Sequence, residues 1–364
     1  MDEPSSSARR VLSRLVRWAA LAMVPLAVLV HMAAPDRHLL LFAVSALGII
    51  PLAGLMGRAT ETLAQRFGSG IGGILNATFG NAAELIIAIV ALRAGQVEMV
   101  KASITGSIIG NILFVLGAAM LAGGLGRTRQ TFNAQAAGTA ASMMLLAVAA
   151  LLLPTFFHLT VREETTLGIQ RLSAPIAVVL LFTYGLSLVF TLKTHKHLYV
   201  EAEDPPGPEV SRRGLGGAVG ALLASTVLIA VLSEYLVASA EYAAKALHLS
   251  DVFIGVMVIA VIGNAAEHST AVLVARKDKM NLAITIAVEP SRQIALFVAP
   301  VLVLLGLALQ QPMTLGFSLL EVGAVSVAVL IVNSIAQDGE SNWLEGAMLL
   351  AMYLILGITF YFLR

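Results

Sequence analysis

Two stretches decide how this chain is read: Gly80-Asn81-Ala82-Ala83-Glu84 and Gly263-Asn264-Ala265-Ala266-Glu267. They are identical, they lie 183 residues apart, and each sits inside a long apolar run. At the same offset Leu113-Phe114-Val115 meets Leu296-Phe297-Val298 with no gap, and the 36 aligned positions hold ten identities. A charged side chain at the centre of an apolar span costs at least ~2.5–3.5 kcal/mol on insertion scales. One such Glu is readily explained as a protonated acid bonding a neighbouring helix. Two copies of the same five residues argue instead for a functional pair.

The bulk composition says what surrounds them. Of 364 residues 58% are apolar and 12% charged, against roughly 45–50% and 25% in average soluble domains. Mean hydropathy is +0.88. A soluble core of this length cannot hide that much apolar surface, so lipid is the solvent. Taking about 20 mostly apolar residues per span, the sequence offers eleven candidates, near 12–32, 39–57, 72–92, 97–122, 134–157, 172–192, 215–237, 251–275, 280–309, 313–333 and 343–363. Several are rich in Gly, Ala and Ser, which lets helices approach closely. A net charge of +1 gives no sign of a nucleic-acid partner, and the absence of cysteine excludes disulfides and thiolate metal sites.

Counting Lys and Arg orients the chain. With the N-terminus inside, inside segments hold 15 and outside segments seven, Arg292 lying within a span. Arg9, Arg10, Arg14 and Arg17 precede an apolar run that reads as a retained first helix rather than a cleaved signal. The two motifs fall in the third and eighth spans, an odd number apart, so they run in opposite directions across the bilayer. The expected fold is an all-α membrane protein of about 11 transmembrane helices, an inverted 5+5 repeat preceded by one extra N-terminal helix. Its divisions are residues 1–37, a first repeat over 38–193, an acidic linker over 194–213 with Glu201, Glu203 and Asp204, and a second repeat over 214–364.

The motif chemistry is that of a hard-cation site. Asn81 and Glu84, like Asn264 and Glu267, are three residues apart and share a helix face. Gly80 and Gly263 can bend the helix and free backbone carbonyls where it lines a cavity. Carboxylates, amides, carbonyls and water suit calcium, which takes six to eight oxygens. Two carboxylates balance one divalent ion or are neutralised by protons. The site is tolerable with either occupant and costly empty, which is an antiport mechanism.

The stretches from Gly80 to Gly117 and from Gly263 to Pro300 resemble the two signature repeats of the calcium/proton exchanger family in the cation/calcium exchanger superfamily. The resemblance implies eleven helices, calcium and protons as transported substrates with no cofactor, and Glu84 and Glu267 as carboxylate ligands. It implies that Ser107, Asn111 and Gln293 complete the site, although helix–helix hydrogen bonding explains each of them as well. The Glu267-His268 pair looks like the proton-coupled branch. His268 either tunes proton transfer or simply bonds a neighbouring helix.

One place departs from the family pattern. Where a Gly-Ser pair is expected opposite Gly106-Ser107, the chain reads Glu289-Pro290-Ser291-Arg292. Glu289 is then a third ligand, or it pairs with Arg292 in a structural or gating bridge away from the ion, or Arg292 repels calcium and cripples the site. The bridge is ranked first, with His268, Glu289 and Arg292 as candidate modulators. Exchange with sodium or potassium, and a passive channel, are the competing functions. No His-Glu-x-x-His, Gly-x-Ser-x-Gly or phosphate-loop motif is present, which argues against an enzyme or an ATP-driven pump. The compact size points to a prokaryotic plasma membrane, and a homo-oligomer is the one protein partner left open.

Overall fold

The computed structural model describes residues 21–160, 166–198 and 212–363. The start of the first expected span and most of the acidic linker lie outside the described residues, as do the side chains of Glu267, Arg212 and Arg213. The described chain is almost entirely helical. In order come α1 (Leu21–Ala33), α2 (His38–Phe79), α3 (Ala82–Arg93), α4 (Val97–Gly124), α5 (Ala134–Thr160), α6 (Thr166–Val189) and α7 (Arg212–Ala246), then α8 (Asp251–Arg276), α9 (Met280–Ala308), α10 (Leu319–Ile335) and α11 (Trp343–Phe362). Seven of these are long and apolar enough to cross a membrane by themselves, and α8 makes an eighth if its two bent halves count as one span. The chain is therefore an all-α, multi-span membrane protein.

The second and third expected spans are separated at the polar break over 58–71, although helical hydrogen bonding carries on through it from His38 to Phe79. A Cβ on Gly72 would overlap the backbone of Ala64, eight residues earlier, where a straight helix would hold the two about 12 Å apart, so the chain folds back here and the apolar span ends at Phe67. The segment lacks proline, and two of its hydroxyls turn back onto the helix. Thr60 and Thr62 donate to the carbonyls of Met56 and Arg58 at 3.0 and 2.8 Å. The helix breaks again at Gly80-Asn81, inside the motif, before α3 begins. The second motif breaks too: α8 bends by 64° between Asp251–Ala265 and His268–Arg276. The first motif thus breaks at Gly80-Asn81, whereas the second bends a little after Gly263, between Ala265 and His268.

Two more irregularities follow the same period. α4 widens to π-type geometry over Gly110–Val115, and α9 does so over Ile294–Val298. The first interval moved by 183 residues covers 293–298. Single-turn π segments inside α-helices are frequent at functional sites.

The bundle has two apolar cores. α2 packs along α7, burying Ile49, Leu52, Met56, Leu232 and Leu236. The larger core joins α4, α5, α9, α10 and α11 around Ile108, Ile112, Leu116, Leu296 and Val329. On the outside, Val178, Phe182 and Leu186 form an exposed apolar stripe on α6, and Leu354, Ile355 and Ile358 form one on α11. Exposed stripes of this kind on a soluble protein would drive aggregation, whereas acyl chains solvate them.

Loop contacts show which ends lie together. β1 (Gln130–Thr131) pairs antiparallel with β2 (Glu340–Ser341). Gln130 Nε2 reaches the Ala275 carbonyl at 3.0 Å and Asp278 Oδ1 at 2.9 Å. The loops after α4, α8 and α10 therefore share one end of the bundle, the β-ladder end. At the other end Ser173 and Thr155 hydroxyls accept from the backbone N–H of Leu315 and Phe317, at 3.0 and 3.2 Å.

Candidate functional site

The site is assembled where the broken helices meet α4 and α9. Glu84, in the first turn of α3, is buried, and its side chain lies against the backbone of the second motif. A Cβ at position 263 would stand 3.0 Å from Glu84 Cγ and 3.3 Å from its Oε1. That is tighter than an ordinary contact, so a larger residue at 263 would displace the Glu84 side chain by a few tenths of an ångström. Asn81 is also buried and donates to Gln293 Oε1 across the bundle at 2.6 Å. Its own Oδ1 is buried with no hydrogen-bond donor among the described residues. An unsatisfied buried carbonyl costs about 1–3 kcal/mol, and a cation is a group that would satisfy it.

The described part of the second motif reaches the other long helix. Buried Asn264 donates to Ser107 Oγ at 3.2 Å and to the Ala260 carbonyl at 3.0 Å, and it accepts from Asn111 Nδ2 at 3.1 Å. The first motif therefore reaches α9 and the second reaches α4. Between them Ser291 Oγ donates to the Ile108 carbonyl at 3.4 Å. These two residues are themselves 183 apart, so equivalent positions of the two repeats touch at the middle of the site. Sequence reasoning passed over Ser291, although its position opposite Ile108 was the signal that could have found it.

Of the residues singled out from sequence, Gly80, Asn81, Glu84, Ser107, Asn111, Gly263, Asn264 and Gln293 come together in this one region. Three do not join it. His268 packs edge-on against Phe114, centroids 5.7 Å apart. Glu289 and Arg292 form an ion pair within α9 that faces α5 and α6. There Arg292 also donates to Ser187 Oγ at 2.8 Å and contacts Met143 Sδ at 3.3 Å. Arg292 is buried while Glu289 borders a 440 Å³ cavity at the β-ladder end, walled by Asn133, Ala137, Asn281, Thr285 and Val288. Among the described residues no three His, Cys, Asp or Glu side chains converge. The described donor set around Glu84 is one carboxylate supplemented by neutral oxygens.

Known proteins resemble this chain over nearly its whole length. The family model described as sodium/calcium exchanger protein matches residues 37–193 and 217–362. The Ca(2+)/H(+) antiporter of Aphanothece halophytica is 48% identical over 361 residues, covering 95% of this chain and 96% of that protein. The Ca(2+)/H(+) antiporter of Synechocystis sp. is 50% identical over 339 residues, covering 88% and 90%. A solved structure of Ca2+/H+ antiporter protein YfkE superposes with a TM-score of 0.82 at 39% identity, over 96% of this chain and 100% of that one. With the signature repeats, the broken motif helices and this coverage taken together, the chain belongs to a transporter family, the sodium/calcium exchanger proteins, and to their calcium/proton branch.

Proposed function

We propose that this protein is a secondary antiporter that exchanges calcium for protons across a membrane by alternating access. The observation that carries the reading is the lodging of the Glu84 carboxylate against Gly263, beside an Asn81 oxygen that lacks a donor. Glu84 and Glu267 are the carboxylate ligands, Asn81 and Asn264 the amide ligands. Gly80 and Gly263 open the backbone, and Ser107, Asn111 and Gln293 hold the amides in place. Calcium neutralises both carboxylates when it is bound, and protons neutralise them when it has left, so the pair never crosses the low-dielectric centre as two bare charges.

The same reading assigns eleven spans in an inverted 5+5 arrangement after one extra N-terminal helix. The first repeat occupies 38–193 and the second 214–364, joined by the acidic linker 194–213. Contact between Ile108 and Ser291, 183 residues apart, supports a pseudo-twofold axis through the site. The excess of Lys and Arg puts the N-terminus, the linker and the β-ladder end in the cytoplasm, with the plasma membrane of a prokaryotic cell as the location. The two bacterial relatives fit that placement.

Purified protein in liposomes tests this directly. An imposed pH gradient, acidic inside, should drive calcium uptake that stops when the gradient is collapsed by a protonophore. Substituting a sodium or potassium gradient should drive none. Uptake that follows sodium, or that runs only down the calcium gradient, would refute the assignment.

A further inference from the structure

Position 289 is where the two repeats part company. In the first repeat its counterpart is Gly106, 183 residues earlier. Gly106 lies flat against the backbone of Val256 in α8, so closely that a Cβ there would overlap the Val256 carbonyl. The neighbouring contact is equally tight: a Cβ on Gly255 would fall 2.5 Å from Ala102 Cβ. This glycine-mediated seam closes α4 against the first half of α8, leaving Ala102 with 0% exposure. The counterpart of Ala102 is Thr285, which is exposed and lines the 440 Å³ cavity.

In an inverted-repeat carrier the two access states exchange the conformations of the repeats. The state closed at the β-ladder end would then bring the end of α2, which carries Gly72 in the place of Gly255, onto α9 at Thr285 and Glu289. That seam needs a glycine at 289. A glutamate held in place by Arg292, with Pro290 beside it, cannot enter it. We infer that Glu289 is a wedge that denies the β-ladder end the tight closure available at the other end, and so biases the carrier toward the state open at the β-ladder end. Arg292 keeps the wedge upright: its guanidinium is anchored by Ser187 on α6 and packs against Met143 on α5 while it pairs with Glu289. This inference rests on the alternating-access reading proposed above.

The chain contains no cysteine, so one engineered thiol reports on the cavity without background. Thr285→Cys is placed in the cavity wall, and its modification by a charged, membrane-impermeant thiol reagent is timed in protein reconstituted in nanodiscs. With Glu289 present, labelling is fast. In Glu289→Gly/Arg292→Ile, which restores both positions to their first-repeat counterparts Gly106 and Ile109, labelling slows about tenfold as the closed state becomes populated. The companion Glu289→Ala/Arg292→Ile removes the same charges but keeps a Cβ, and it labels at the original rate. Equal rates in the Gly and Ala variants would overturn the wedge, whether both are fast or both slow. Each variant is first shown to be monodisperse and to unfold cooperatively. Calcium uptake by the unmodified protein is measured alongside. If uptake fails, the antiport reading fails; if uptake is intact and the Gly and Ala rates coincide, the wedge alone fails.

Discussion

The two repeats carry the same motif at the centre and differ at the way in. Along α4 the positions Met99 and Ala102 are 4% and 0% exposed; along α9 their counterparts are Leu282, 41% exposed, and the cavity-lining Thr285. One to three turns further along the same helices, Asn81 reaches Gln293 on α9 and Asn264 reaches Ser107 and Asn111 on α4. A shared central motif flanked by asymmetric ends is what the proposed alternating-access cycle calls for in a carrier open to one side. In that cycle the centre holds the same ion from both sides, while the seals cannot both be closed or both open.

The comparison breaks most severely if the two acids are unequal. Two charges at 4 Å interact by about 4 kcal/mol at an effective dielectric of 20. Neutralising either acid should therefore reduce gradient-driven calcium uptake by roughly a hundredfold or more. Glu84→Gln and Glu267→Gln are expected to do so equally in proteoliposomes. Full uptake in both would remove the assigned site, and full uptake in one would leave a site built on a single repeat.

Proton competition sharpens the same point. A proton on either carboxylate removes charge that calcium requires, so apparent calcium affinity falls as pH falls. If one calcium displaces two protons, each unit of pH lowers the apparent affinity by up to about a hundredfold. A slope of only tenfold per unit in calcium titrations would mean that a single repeat's acid exchanges its proton.

At the seals the expected effects are smaller and of opposite sign. Gly106→Ala inserts a methyl group into the Val256 backbone and should cost about 1–3 kcal/mol of stability, as overpacking does. It should also open α4, so that a thiol at Ala102 becomes labelled by an impermeant reagent. Slow labelling with unchanged thermal unfolding would show that the α4–α8 seam is not held by that glycine.

How much of this was legible depends on the range of the interaction. Glu84 and Glu267 announced themselves because a charge inside a long apolar run is costly wherever the chain folds, and Gly80 because a glycine before an amide in such a run marks a break. The polar residues 58–71 do mark the place where the chain folds back, with Gly72 against Ala64. What was not legible is that helical hydrogen bonding carries on through the turn, with Thr60 and Thr62 returning their hydroxyls to the backbone. The i to i+3 pairing of Glu289 with Arg292 could be read from spacing. Its direction could not, because Ser187 lies 105 residues away, and no local pattern tells which neighbour α9 will present that face to. The role of Gly106 was hidden for the same reason, since its partner is a backbone in another span.

The smallest expected difference concerns how α5 and α10, the equivalent helices of the two repeats, begin. Asn133 caps α5 by accepting from the Ala136 N–H at 3.1 Å, and Ser318 caps α10 in a reciprocal box with Glu321. Losing either cap should cost about 1 kcal/mol, so Asn133→Ala and Ser318→Ala should lower the unfolding temperature similarly. Asn133 has a second task that Ser318 lacks. Its Nδ2 donates to the Leu198 carbonyl at 3.1 Å, tying the segment after α6 across the cavity mouth. Asn133→Ala should therefore raise the labelling rate of Thr285→Cys severalfold, while Ser318→Ala leaves it unchanged. Equal labelling in the two variants would mean that the cavity mouth is set by the helices alone and that the tether to Leu198 does not restrict it.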